Sequence, residues 1–489
     1  MLVGRQNGQE RQRTHSCLSR TQKKAVPQKR TIAQHLRDTK AAISSKKPVH
    51  GVIGPTPLSK LPDFDFIRAS VPDYMHAGCQ GVIKHFIRLF TSSDWKKKSW
   101  FMNSEDKANV NRRLASSKPP YEIKRTLVDM ADLTDWKASM YRSFLIYHFQ
   151  LLEGILPPEY FRHFADLAYG LSTLLQKEVK VEDFKKVDVL MKKFVKDMER
   201  LYGVEHIRIN IHFLTHFAQC VLDLGCLWAT SNFIPEGFNG ELKNLSKGTV
   251  AVVEQMAENY LMLSEVRKEA VGLVNQYPLP PGVVQLLKEL LHLPDALISS
   301  QPSSSSSGLL VNDGAVGLLG KPVHYSGTVE EEVALLNLFN SDKKFDQFLD
   351  LNLDDCFSHS RFQLTSTRSI FTTTTHTRSK KSINYCALLQ NGEFVIIERV
   401  LNFIIGPNQR SFFLFKHLGS ISKKDYTPDP IEAVVFKRFP GQLTKLFGVS
   451  QTLLASDHEQ ISSKCVVSYQ LPSADLYVAA AIINPFETD

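Results

Sequence analysis

Apolar residues recur at helical spacing through much of the first half of this chain. Val82 to Phe90 reads as an amphipathic helix, and three further segments repeat the pattern. The first carries Tyr141, Leu145, Tyr147 and Phe149; the second Phe161, Phe164, Leu167, Leu171 and Leu175; the third Val187, Leu190, Phe194, Met198 and Leu201. Breaks fall at Pro157-Pro158 and Gly203, and Val250 to Val274 continues as helix until Pro278-Leu279-Pro280-Pro281. Pro55 to Pro72 reads as loop and short strand. Beyond a Ser-rich stretch that includes Ser303 to Ser307, the period changes. Ser382 to Leu389, Glu393 to Ile397 and Ser411 to Phe415 are rich in β-branched and aromatic residues, and Asn391-Gly392 marks a hairpin between the first two. Cys465 to Tyr469 and Leu476 to Ile483 read as further strands.

The two halves therefore predict an α+β protein: a helical region, then a small β-barrel or sandwich. No motif in the β-rich part carries chemistry; Thr372 to Thr375 and Ser379-Lys380-Lys381 read as exposed loop. At 489 residues, of which 43% are hydrophobic, the chain has ample material for several domains. No apolar run approaches the roughly 18 residues needed to span a bilayer, and the Arg-rich N-terminus has no apolar signal core. A secreted or membrane protein is not expected. The seven cysteines are scattered without a disulfide framework and suit a reducing compartment.

The net charge of +9 is concentrated at one end. Residues 1 to 50 carry a dozen Lys and Arg against Glu10 and Asp38, so the remainder is close to neutral. Such an arm buries too little apolar surface to fold alone. It would bind phosphate backbones weakly and without reading sequence, and Lys23-Lys24 with Lys29-Arg30 would serve as a nuclear import signal. A solvated basic tail fits the same composition.

Chemistry concentrates between Asn210 and Lys243. His212 and His216, four residues apart, share one helical face at metal-ligand spacing, and Glu236 with Asn239 opens the next helix. Far upstream, Val71-Pro72-Asp73-Tyr74-Met75-His76 supplies a second isolated acid. An Asp and a distant Glu can share divalent cations at one site. Each residue also has a structural reading: Asp73 as a helix N-cap, Glu236 as a first-turn acid favoured by the helix dipole, and the histidines as a partly buried helix face.

Several ordered blocks raise the chemical reading. Gly51-Val52-Ile53-Gly54-Pro55-Thr56-Pro57-Leu58, the Asp-Tyr-Met-His block, Trp136-Lys137-Ala138-Ser139, Tyr141-Arg142-Ser143-Phe144-Leu145, Leu227-Trp228 and Phe233-Ile234-Pro235-Glu236-Gly237-Phe238-Asn239-Gly240 run through residues 51 to 250. Together they resemble the transposase domain of CACTA (En/Spm) elements in its animal form. The resemblance implies an RNase H-like DDE/D core interrupted by a helical insertion. It also implies metal-dependent DNA strand cleavage and transfer using Mg2+ or Mn2+, with Asp73 and Glu236 as the second and third catalytic acids and metal ligands. On this reading the two side chains converge.

His212 and His216 are similar to the zinc histidines of the related V(D)J recombinase core. His76 and Cys79 are the natural partners for a zinc ion, with Cys220 one turn beyond His216 as a substitute. That recombinase uses a Cys-x-x-Cys pair, which this chain lacks. The family's first catalytic Asp lies on an early strand, and the only acids ahead of Ile53 are Glu10 and Asp38, in polar sequence without a strand pattern. The expectation is a truncated core in which the ancestral metal pair is not productively bound. The expected organisation is a basic disordered arm over 1–50, the truncated core over 51–293, a Ser-rich linker over 294–318 and a β-rich domain over 319–489. The partners it admits are DNA, through weak contacts of the arm, and a second copy of the chain. Three functions fit: an inactive transposase, a co-opted nuclear DNA- or protein-binding protein, and a zinc-stapled structural domain.

Overall fold

The structure is a computed structural model that describes residues 30–482 apart from 118, 131–132, 278, 292–308, 350–355, 368, 377–381, 406–407, 420–442, 448 and 472–475. It divides into two compact units, Met1–Lys107 with Asp129–Asn232, and Ala108–Val128 with Phe233–Asp489. The expected boundaries at 51–293 and 319–489 follow the sequence, whereas the units exchange a segment.

The first unit is helical. It contains α1 (Ile32–Ser45), a 3-10 turn (Pro57–Lys60), α2 (Phe66–Ala69), a π-helix (Met75–Ile83) that runs into α3 (Lys84–Thr91), and the start of α4 (Ser104–Ser116). After the exchange come α5 (Ala138–Ser143) with its π and 3-10 continuation to Leu152, α6 (Pro158–Leu174), α7 (Val181–Tyr202) and α8 (Ile209–Leu224). The sequence periodicity becomes a packed aromatic centre: Phe86 lies 5.6 Å from Phe164, 5.7 Å from Phe194 and 6.0 Å from Phe90, all essentially fully buried. Burying each such ring contributes roughly 1.5–3 kcal/mol. Val187, Met191, Phe194, Met198 and Leu201 place one stripe of α7 in the core. Gly203, at φ 109°, ends that helix where a side chain would be strained.

Two local expectations change. Residues 55–72 contain the 3-10 turn and α2 and no strand; Thr56 and Asp65 cap these short helices and divert the backbone from a ladder. Within the basic arm, Thr31 caps α1 and Ala42 packs inward, so residues 32–45 are ordered; residues 1–29, with Lys23, Lys24 and Lys29 of the import signal, lie outside the described residues. Among the described residues up to 291, the only β pairing is a bridge between Val49 and Val52.

The second unit begins with α9 (Phe233–Leu245), α10 (Val252–Gln276) and α11 (Pro281–Leu291). Its β-rich part contains β1 (Leu309–Val311), β2 (Val316–Leu319), β3 (Val323–His324), α12 (Val329–Ser341), β4 (Phe357–His359), β5 (Arg361–Leu364), β6 (Ile370–Thr372), β7 (Cys386–Leu389), β8 (Phe394–Ile405), β9 (Asn408–Leu418), β10 (Leu443–Phe447), β11 (Val449–Ser456), β12 (Ile461–Leu471) and β13 (Leu476–Ala481). Every described pairing is antiparallel. The small sheet runs β1-β2-β5-β6; the large one runs β10-β13-β12-β7-β8-β4-β3, with β9 joining β8 to β11. The two sheets share a core in which Phe362 lies 4.5 Å from Phe413 and stacks 5.1 Å from Phe371. The protein is thus mixed helix and antiparallel sheet. Gly392, at φ 87°, turns the β7–β8 hairpin announced by Asn391-Gly392. The far end of the expected linker, residues 309–318, instead forms β1 and most of β2, and Thr373 is fully buried with its N–H on the Ser360 carbonyl.

Candidate functional site

Asp73 stands at the entrance to the π-helix, and its two oxygens are turned back on the chain. Oδ1 accepts the Met75 N–H at 3.2 Å and the Asn232 N–H at 2.9 Å; Oδ2 accepts the His76 N–H at 2.9 Å and meets His76 Nδ1 at 2.6 Å. With three amide donors and an imidazole, the carboxylate does the work of an N-cap. Its side chain is only 16% exposed. A carboxylate so surrounded by N–H donors does not present free lone pairs to a cation.

His212 and His216 face each other on α8 as their spacing requires. Their Nε2 atoms are 3.2 Å apart, with the rings nearly perpendicular at a centroid distance of 4.9 Å. Burial pushes the His212 imidazole below its ordinary pKa, so it is neutral near pH 7. The separation is close to the edge of a tetrahedron of zinc–nitrogen bonds, about 3.3 Å. It also suits one imidazole donating to the other. No group of three or more His, Cys, Asp or Glu side chains that could hold a metal gathers among the described residues. The expected set of His212, His216, Cys79 and His76 is therefore represented by the histidine pair alone. His76 is engaged with Asp73, while Cys79 and the substitute Cys220 are buried thiols. The physical reason is local: a carboxylate three residues before His76 captures its ring more cheaply than a folded-over helix face could.

Glu236 occupies the first turn of α9, the position the helix dipole favours, and both it and Asn239 are exposed. Asp73 and Glu236 belong to different compact units. The hydrogen bond from the Asn232 N–H to Asp73 lies within the first unit. Asn232 was not foreseeable: it takes part through its backbone, which leaves no mark on residue type.

Sequence reasoning also passed over His85, His163 and His206. All three are buried, and burial holds their imidazoles down, His85 to about 3 and His163 to about 4. His163 stacks on Phe194 at 4.0 Å and its Nε2 meets the Phe194 carbonyl at 3.0 Å. The positions of His85 and His163 on the apolar stripes of α3 and α6 were the available signal, whereas His206 lies in the 3-10 turn Val204–His206 and left none.

The chain matches no protein-family model, no curated protein and no solved structure. Among the described residues, no helix is long and apolar enough to cross a membrane.

Proposed function

We propose that this chain is a nuclear nucleic-acid-binding protein of CACTA-type transposase ancestry that binds DNA without cleaving it. The observation that carries the reading is the Asp73 carboxylate. It ties the Asp-Tyr-Met-His block, across 159 positions, to the N–H of Asn232, a residue that lies in sequence between the Leu227-Trp228 and Phe233–Gly240 blocks, and it spends its oxygens on amide and imidazole donors. The first property supports the ancestry. The second supports loss of catalysis, because two-metal phosphoryl transfer needs carboxylate oxygens free to bridge and flank the ions. The RNase H-like core belongs to this proposal, with the helical first unit as its insertion and flanking helices.

The ancestral metals would have been held by Asp73 and Glu236. The donor set around Asp73 does not fit that role, so no cleavage step is assigned to it. The basic arm and the +9 net charge support DNA as the partner.

The experiment is fluorescence anisotropy with duplex DNA over a salt series, alongside a supercoiled-plasmid nicking assay in Mg2+ and Mn2+. Salt-sensitive binding without nicking is expected. Nicking lost in both Asp73→Ala and Glu236→Ala would overturn the inactive reading, and no DNA binding at low salt would overturn the binding role.

A further inference from the structure

The N-terminus of α8 collects positive charge. Three contacts bring its surroundings together. Asn210, in the first turn of α8, packs on the π-helix at Gly81, where an added Cβ would collide with the Asn210 amide. His206, two residues before the cap residue Arg208, lies 5.5 Å from His85 on α3. Arg88 is one turn beyond His85 on the same helix. Arg88, Arg208 and His85 thus share one corner of the first unit, and both guanidiniums act electrostatically on the His85 imidazole and on each other.

The acid of that corner, Glu205, faces His206, with its Oε1 3.9 Å from Nε2. Among the described residues, neither guanidinium has an ion-pair or hydrogen-bonded carboxylate, and Arg208 feels burial and Arg88 with no acid to offset them. No side chain caps the sixteen-residue α8, so its first amide groups stay open. His85 is 6% exposed, and its Nε2 has no partner in the protein. Arg88 itself is exposed and Arg208 half-buried, so the corner opens to solvent. Two like charges, a free helix N-terminus and an orphaned imidazole nitrogen are all relieved by one ligand, a tetrahedral oxyanion with several acceptor oxygens.

We propose that Arg88, Arg208 and His85, with the N-terminus of α8, form a phosphate-binding site that takes a backbone phosphate of nucleic acid. The site rests on the nucleic-acid reading for the source of that phosphate, while the anion chemistry stands independently. It differs from the basic arm in being built on packed helices, so it fixes where a duplex lies against the first unit. Binding would also cap α8 and supply the acceptor that His85 lacks.

The test uses the full chain, the chain without residues 1–29, and each of these carrying Arg88→Gln and Arg208→Gln. Circular dichroism and thermal unfolding establish that the variants fold. Duplex DNA binding is measured against salt, and the melting temperature against inorganic phosphate at constant ionic strength.

The expected result is residual DNA binding in the arm-deleted chain that disappears with the double substitution. In the full chain, the slope of log K against log salt should fall by about 2, close to one per arginine. Phosphate should raise the melting temperature of the unsubstituted chain alone. Phosphate stabilisation without DNA binding would keep the anion site and sink its nucleic-acid source. DNA binding and phosphate response that are both indifferent to the two arginines would overturn the site and leave the DNA-binding reading standing. Arg208→Lys, which keeps the charge and loses the fork, should retain part of the affinity; full loss of folding in the double variant moves the same comparison to Arg88→Gln alone, where the slope should fall by about 1.

Discussion

Asp73 Oδ1 accepts the backbone N–H of Asn232 at 2.9 Å, closing a loop of 159 residues with one charge-assisted hydrogen bond. The same carboxylate caps its own helix, so one side chain orders both a local start and a distant return of the chain.

Asp73→Ala should therefore cost more than an ordinary cap. Loss of a cap alone costs about 1 kcal/mol, and stranding the Asn232 amide adds about 1–3 kcal/mol. Chemical denaturation should show a loss of about 2–4 kcal/mol, with Asp73→Asn retaining part of it. A destabilisation of only a few tenths of a kcal/mol in Asp73→Ala would show that the Asn232 bond does not hold in solution.

Among the described residues, the two histidines of α8 gather no third metal-ligating side chain. Chelation should leave the melting temperature of the purified protein unchanged, and metal analysis should find zinc well below one equivalent. A chelator-induced drop that vanishes in His212→Ala would instead establish a complete zinc site with ligands beyond the pair.

Acid should unfold the first unit early. The pKa of His85 is held down to about 3, and those of His148 and His163 to about 4, chiefly by burial. The unfolded chain binds protons on these groups from about 6.5 downward, so the stability they permit is complete above that pH and falls as pH drops toward 4. Each contributes up to about 1.4 kcal/mol per pH unit in that window. Melting temperatures measured from pH 7 to 4.5 should fall steeply, and His163→Phe should flatten the slope by close to one proton. An unchanged slope would place the His163 ring in solvent.

In the second unit, Lys464 of β12 is almost fully buried; its Nζ lies 2.7 Å from Glu122 Oε1, 3.2 Å from Asn384 Oδ1 and 4.0 Å from the centre of the Tyr121 ring. Burial lowers the ammonium to about 8 despite the carboxylate beside it. Removing one partner strands the other, so Lys464→Met should destabilise by about 3–5 kcal/mol, whereas pairing it with Glu122→Leu should recover much of the loss. Equal stability of the single and double variants would show that the pair is not formed.

The helical and strand-forming regions were legible because their signals are local. The stripe of α7, the stops at Pro157 and Gly203, and the Asn391-Gly392 hairpin are written in spacing that repeats every turn or every second residue. The short helices between Pro57 and Ala69 were not, because capping by Thr56 and Asp65 outweighs the strand-like composition around them. The histidine pair was legible as a pair, since a helix holds residues four apart on one face whatever surrounds it.

By itself the sequence determined the types of the strongly periodic elements, the concentration of charge in the arm and the histidine face of α8. Tertiary structure alone decided that Asp73 is spent on Asn232 and His76, that Lys464 finds Glu122, and that Arg88 lies close enough to Arg208 to act on it electrostatically. Periodicity reports only which face of an element turns inward. Which polar groups then meet depends on closing loops of a hundred residues or more, a choice made by the packing of whole faces rather than by the residues that end up touching.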